Sequence, residues 1–291
     1  MRRAARSRTP RSGYYLEVTR RYSAVVAAVV ALAAAAAPCA ASPAGANDFK
    51  CRPVADHPEP VVLVHGLGAN MDDNWAYMSP RIAAAGYCVF ALTYGRATEK
   101  PSDPRGGVVS MKESAHELAG FVDHVLAATG ARKVDIVGHS EGSLMPDYYL
   151  KFLPRARHGD GSLKVDDYVG ITPLWHGSRR AALLDGRGCP ACSQIKRGSG
   201  FLAQINRGPT GARVPGVSYT MLMTLFDQVV APVTSGYMDG ATNLFMQGQC
   251  AADTSSHVGM ALNANVLGDV LHALDPGDTT PPVDCASLYG F

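Results

Sequence analysis

The sequence predicts an α/β chain: a mostly parallel sheet of about six strands with helices packed on both faces. Three observations lead there. Short, almost wholly apolar runs such as Val61 to Val64 read as strands buried on both faces. These runs alternate with longer stretches of helical periodicity, the pattern of right-handed crossovers between parallel strands. The run Lys133 to Val137 passes directly into Gly138-His139-Ser140-Glu141-Gly142, with helix-compatible residues from Leu144. A strand, a tight turn and a helix in that order is the setting in which a G-x-S-x-G serine is exposed on a strained turn.

Taken in order, Pro53, Pro58 and Pro60 make residues 47–60 an extended arm, and Val61 to Val64 form the first strand. His65-Gly66-Leu67-Gly68 breaks that strand. Asn74 to Ala85 is expected as a helix closed by Gly86, and Cys88 to Thr93 as the second strand. A loop carrying Pro101, Pro104, Gly106 and Gly107 leads to a helix over Met111 to Thr129, capped by Gly130. Lys133 to Val137 is the third strand and Lys164 to Val169 the fourth. Residues 174–213 are rich in Gly and Arg, with one helical pattern around Phe201 to Ile205, and read as an insertion over the site. Val217 to Leu225 and Thr242 to Met246 complete the sheet, and Gly259 to Leu274 forms the last helix. In such a sheet, ligands bind at the carboxyl ends of the strands.

The chain has 291 residues, 47% of them apolar, enough for one large core. Seven arginines precede the apolar run Ala24 to Ala37, and Ala44-Gly45-Ala46 offers an A-x-A cleavage site, so residues 1–46 are expected to be a secretory signal. Thr19-Arg20-Arg21-Tyr22 adds a hint of twin-arginine export, leaving Sec or Tat as the route to a secreted protein. The apolar run is short for a stable membrane anchor. The expected mature body, residues 47–291, is then a single catalytic domain. Removing the seven Arg and one Glu of residues 1–46 leaves 20 basic and 24 acidic residues, a net charge of −4 where the whole chain has +2. No basic stripe remains to favour nucleic acid.

Of seven cysteines, Cys39 falls in the signal, which leaves Cys51, Cys88, Cys189, Cys192, Cys250 and Cys285. An even number in an exported chain favours disulfides, although six cysteines allow about fifteen connectivities. Cys189-Pro190-Ala191-Cys192 has C-x-x-C spacing, but a second pair of zinc ligands is missing and the compartment is oxidising, so a local disulfide is expected.

Ser140 needs a base within hydrogen-bond reach and a carboxylate to hold that base. The chain order Ser, acid, His leaves His158, His176, His257 and His272 as bases. His257 lies in the polar loop Thr254 to Val258, from which a base can reach back over the sheet. Asp227 follows the strongest late strand at its carboxyl end, whereas Asp239 and Asp253 sit among turn-forming neighbours. The catalytic set is therefore read as Ser140, Asp227 and His257. The oxyanion donors are the Glu141 amide, next after the nucleophile, and the Leu67 amide in the loop after the first strand. His65 is out of order for a base and is read as ordering that loop. Leu67, Met145, Leu174 and Trp175 are available to line an acyl pocket or to fill the core.

Together, Pro60 to Gly66, Gly86-Tyr87-Cys88-Val89-Phe90-Ala91-Leu92-Thr93-Tyr94-Gly95, the elbow and Asp227-Gln228-Val229-Val230-Ala231-Pro232 resemble the secreted actinobacterial and fungal class 2 lipases. These are small α/β-hydrolases similar to minimal bacterial lipases without a large lid, and the likeness extends over about Pro58 to Cys285. It implies esterase or triacylglycerol lipase activity on a lipid or other acyl-ester substrate, with no cofactor. It places Ser140, Asp227 and His257 at the family's triad positions and Leu67 and Glu141 at its oxyanion positions. It also implies the pairings Cys51–Cys88, Cys189–Cys192 and Cys250–Cys285. Where many relatives have Gln or Met after the nucleophile, Glu141 here is expected to put a charge at the mouth of the site.

An acyltransferase acting on a cell-envelope alcohol would use the same residues, since partitioning depends on water exclusion. A non-catalytic surface-binding protein would lack a triad member, and none is missing. Gly198 to Ala203 matches G-x-G-x-x-A in letters but follows no strand, and neither a P-loop nor H-E-x-x-H occurs.

Overall fold

The computed structural model describes residues 42–100, 102–184, 186–275, 277 and 285. The expected signal falls outside them up to residue 41. Six strands, β1 (Val61–Val64), β2 (Val89–Leu92), β3 (Val134–His139), β4 (Val165–Ile171), β5 (Ser218–Met223) and β6 (Thr242–Phe245), form one sheet in the order β2-β1-β3-β4-β5-β6. Every pairing is parallel. This is the α/β-hydrolase type of sheet, in which β3 is central and its carboxyl end opens over both neighbours. Register sets Val64 beside Gly138 and His139 beside Ile171, so the Ser140 turn emerges where β1, β3 and β4 all end.

The helices are α1 (Met71–Trp75), α2 (Met78–Ala84), α3 (Met111–Thr129), α4 (Met145–Phe152), α5 (Pro190–Gln194), α6 (Gly200–Ile205), α7 (Met246–Gln249) and α8 (Ala264–Leu274). Successive residues of β1 serve opposite faces. Val62 and Val64 pack with α3 side chains such as Leu118 and Val122, and Val61 and Leu63 pack with Trp75, Ile82 and Val266 on the other side. All four residues are fully buried, which is why the run carries no alternation. Truncating a core residue such as Leu118 to Ala would cost about 2–5 kcal/mol. No helix among the described residues is long and apolar enough to cross a membrane.

Several boundaries differ from expectation. The helix expected over Asn74 to Ala85 starts at Met71, because the Asn70 side chain caps the Asp72 and Asp73 amides, and it is interrupted at Ala76–Tyr77. The last helix starts at Ala264, where Asn263 caps Asn265 and Val266, and Gly259–Leu262 is a separate 3₁₀ turn. β3 and β4 run two residues further than the sequence suggests, to His139 and Ile171. The packed body also begins before Asn47. The Ala44 carbonyl accepts from Ser79 Oγ at 3.0 Å, and Ala46 bridges Val89 of β2. Gly45 passes so close to α2 that a Cβ would lie 2.9 Å from that of Ala83. The small residues that read as a cleavage site thus also suit a tight passage against the domain.

Disulfides join Cys51 to Cys88, Cys189 to Cys192 and Cys250 to Cys285. The first ties the arm to the start of β2, and the second closes the first turn of α5, where Cys189 Sγ accepts from the Cys192 amide.

Candidate active site

β3 delivers the chain into the elbow with Ser140 at φ 56°, a left-handed conformation unusual for a side chain other than glycine. The flanking glycines make the turn possible. A Cβ on Gly138 would stand 2.2 Å from the Gly142 carbonyl oxygen, and one on Gly142 would stand 2.2 Å from that of Val64. The turn continues as a 3₁₀ segment, Ser140–Ser143, before α4.

The structure brings Ser140, His257 and Asp227 together across 117 residues of sequence. His257 Nε2 is 2.8 Å from Ser140 Oγ, and His257 Nδ1–H donates to Asp227 Oδ2 at 2.8 Å. Asp227 Oδ1 accepts from the Val229 and Val230 amides at 2.7 and 2.6 Å, which fixes the carboxylate plane. With Nδ1 carrying the proton, Nε2 presents a lone pair to the serine. The other candidates are occupied elsewhere. Asp253 caps its own loop, accepting from the Ser255 amide and Asn263 Nδ2, and His158 Nε2–H donates to the Arg132 carbonyl. His176 lines a separate cleft of about 320 Å³ with Trp175, Arg213 and Tyr237, which none of Ser140, Asp227 and His257 borders. His272 lies in the last turn of α8. Met145, Leu174 and Trp175 are buried in the core.

The loop after β1 passes directly over Ser140, with a Cβ on Gly66 falling 3.2 Å from that of Ser140. Its shape is held from three sides. The Gly66 amide donates to Asn74 Oδ1 of α1 at 3.1 Å. Gly68 and Ala69 pair with Gly106 through bonds of 2.9 and 2.7 Å. His65 Nδ1–H donates to the Gly66 carbonyl at 2.8 Å, while Nε2 accepts from the Tyr94 amide at 3.3 Å. Burial pushes His65 down to about 4, so it stays neutral and orders the loop. Among the described residues, the amides of Leu67 and Glu141 make no backbone hydrogen bond.

Glu141 is not at the mouth. Its side chain is fully buried below the loop, against Tyr94 Oη, where a Cβ on Gly107 would come within 2.8 Å of its Oε2. Burial raises its carboxyl to about 8, so it is neutral at pH 7. The 3₁₀ turn after Ser140 directs this side chain inward, a geometry that a charged letter beside the elbow serine does not reveal.

Four supporting side chains carry no signal in the sequence. His139 Nε2–H donates to the His257 carbonyl at 3.1 Å, and its Nδ1 lies 2.9 Å from Asn74 Oδ1. Ser178 Oγ donates to the Val229 carbonyl at 2.6 Å and accepts from the Ala231 amide, while Arg180 donates to the Gln228 carbonyl. The 174–213 segment is therefore fastened to the loop bearing Asp227. Lys151 Nζ of α4 secures its far end by donating to the carbonyls of Ile205, Arg207 and Gly211. Among the described residues, no group of three or more His, Cys, Asp or Glu is arranged to hold a metal ion.

The sheet order, with a strained serine at the end of the central strand in hydrogen-bonded series with a histidine and a buried aspartate, is the arrangement of the α/β-hydrolase fold. The chain matches the class 2 lipase family model over residues 58–267, more than half its length, and belongs to that family. It is 33% identical over 101 residues to triacylglycerol lipases of Pseudarthrobacter phenanthrenivorans and Burkholderia plantarii. Those alignments cover 33% of this chain and only 29% and 26% of the relatives. Among solved structures, Aspergillus fumigatus lipase B superposes with TM-score 0.67 and 19% identity, covering 86% of this chain and 60% of that one. Bacillus licheniformis lipase BlEst2 in its mature form gives TM-score 0.55 at 18% identity, over 77% of this chain and 94% of that one. These likenesses establish the fold.

Proposed function

We propose that the protein is a secreted carboxylic-ester hydrolase acting on acyl glycerols or similar lipid esters through an acyl-enzyme. The observation that carries this reading is the hydrogen-bonded series Ser140 Oγ, His257 Nε2, His257 Nδ1 and Asp227 Oδ2. Ser140 Oγ attacks the acyl carbonyl as His257 Nε2 takes its proton, and Asp227 stabilises the imidazolium that forms. The Leu67 and Glu141 amides receive the oxyanion, each worth roughly 3–4 kcal/mol by precedent. His257 then protonates the departing alcohol, and water, deprotonated by the same nitrogen, releases the acid. An apolar acyl chain is favoured by the loops that carry Asp227 and His257, where Leu225, Phe226, Val229 and Val258 are exposed. Three disulfides accord with an oxidising, extracellular location.

The test is hydrolysis of p-nitrophenyl esters of graded chain length, paired with labelling by a serine-directed phosphonate. Turnover should require Ser140, and mass mapping should find the adduct on Ser140 alone. A folded Ser140→Ala protein with most of its activity intact would refute the assignment.

A further inference from the structure

Among the buried ionisable groups with no part in the acyl-enzyme scheme is the Glu141 side chain, next to Ser140 in sequence. Its Oε2 contacts Tyr94 Oη, and its Oε1 is buried without a partner. The same Tyr94 hydroxyl donates to the His65 carbonyl at 2.7 Å. A phenol carries one hydrogen, and a carbonyl can only accept. With the tyrosine proton committed to His65, the hydrogen in the second contact has to come from Glu141.

We propose that Glu141 is a positioning residue in its carboxylic acid form: its proton bonds to Tyr94 Oη, whose own proton holds the His65 carbonyl, and losing the Glu141 proton in weakly alkaline solution impairs acylation. This rests on the serine-esterase reading above. The short chain of hydrogen bonds links the residue after the nucleophile to the root of the loop that carries Leu67, so the two expected oxyanion donors share one support. Once Glu141 ionises, the Tyr94 hydroxyl turns to the carboxylate, and the His65 carbonyl loses its donor. A negative charge then also sits on the residue whose amide is to stabilise a developing negative charge, so both consequences act in the same direction.

The surroundings favour the neutral acid. From the end of β2 comes Tyr94, and from the loop after β1 comes the neutral His65, stacked on Tyr94 at 4.3 Å. From β4 comes Tyr168, which donates to the Ser143 carbonyl. Further out are two acids, Glu117 of α3, which accepts from the Gly95 amide, and the buried Asp147 of α4. None of these is a cation at neutral pH. Burial accordingly lifts the Glu141 carboxyl to about 8.

The experiment follows kcat/KM for a soluble p-nitrophenyl ester from pH 6 to 10, with each protein scaled to its own maximum, in wild type and Glu141→Gln. Infrared difference spectra of the same proteins follow the protonated carboxyl band. Wild type should step down to a lower plateau through a single ionisation with a midpoint near 8, while Glu141→Gln keeps its plateau through that range. The carboxyl band should vanish at the same midpoint and be missing from Glu141→Gln. An identical alkaline limb in both proteins, or no protonated-carboxyl band at pH 7 that Glu141→Gln removes, would overturn the proposal. Should Glu141→Gln fail to fold, Tyr94→Phe takes its place. Tyr94→Phe removes both the acceptor of the Glu141 proton and the hydroxyl that turns to the carboxylate on ionisation, so the midpoint moves, and an unmoved midpoint overturns the proposal. Because the infrared titration needs no turnover, failure of the esterase reading is seen separately.

Discussion

Replacing Asp227 by Asn tests the catalytic reading most sharply, because the surrounding hydrogen bonds dictate how the new side chain sits. The Val229 and Val230 amides point at Oδ1 from 2.7 and 2.6 Å, and an amide oxygen can accept both of them. That choice leaves Nδ2 facing His257 Nδ1, at the place where Oδ2 accepts at 2.8 Å. The new N–H then donates to Nδ1, so the imidazole carries its proton on Nε2. A protonated Nε2 cannot accept the Ser140 proton. The alternative, with Nδ2 against two backbone N–H groups, places donors against donors at a site whose side chain is only 3% exposed, so water cannot relieve it. The expected loss in kcat/KM is about 10⁴-fold, with the residue from binding and the oxyanion donors, as when the same change is made in a serine-protease triad. The assay is p-nitrophenyl butyrate hydrolysis alongside near-UV circular dichroism to verify the fold, with Asp253→Asn as the control. Asp253→Asn should lower stability through its loop cap while keeping kcat/KM within about tenfold. Near-wild-type turnover in Asp227→Asn together with collapse in Asp253→Asn would show that the acid is wrongly assigned.

Three further outcomes are expected. Gly142→Ala should cost more than about 4 kcal/mol or prevent folding, because the added Cβ meets backbone carbonyls of Val64 and His65 at 2.2 and 2.4 Å and neither can move aside; soluble yield and urea midpoint check this. Replacing Cys51 and Cys88 by Ala opens a link across a sequence separation of 37 and should destabilise by about 4 kcal/mol on the chain-entropy model, read from urea unfolding. Glu141→Gln should raise Tm increasingly between pH 5 and 8. The folded chain keeps a proton up to about 8 that the unfolded chain releases near 4.5, so wild-type stability falls through that interval and is flat above it. A pH-independent Tm difference would contradict a buried acid.

Much of this was legible in the chain because its local chemistry has few solutions. A four-residue apolar run without alternation can be satisfied by a strand covered on both faces, and β1 is covered so. G-x-S-x-G after a strand requires close backbone approaches at both glycines, and both are present. The placement of His257 and Asp227 followed from chain order and from the end of the sheet at which loops converge. What stayed hidden depends on directions that one-dimensional pattern does not encode. Glu141 reads as a surface charge until the turn aims it inward, and Asn74 reads as a helix start until its Oδ1 is seen accepting from the Gly66 amide. The arm before Asn47 shows the same limit, since Ala, Gly and Pro satisfy a peptidase and a crowded helix surface equally well.

The fastening of Asp227's loop by Ser178 and Arg180 has a consequence for anyone who would reshape this protein. The 174–213 segment, built of loops and two short helices, is a natural region to exchange when seeking a new substrate preference. Yet its first residues supply the hydroxyl and guanidinium that hold Gln228, Val229 and Ala231 in place. A graft that replaced them would disturb the loop that carries Asp227, and on the proposed mechanism a change in selectivity would arrive mixed with a change in chemical rate. Ser178 is itself held from within the segment, its amide donating to the Ile195 carbonyl at 3.0 Å, so the Asp227 loop feels exchanges made well beyond Arg180.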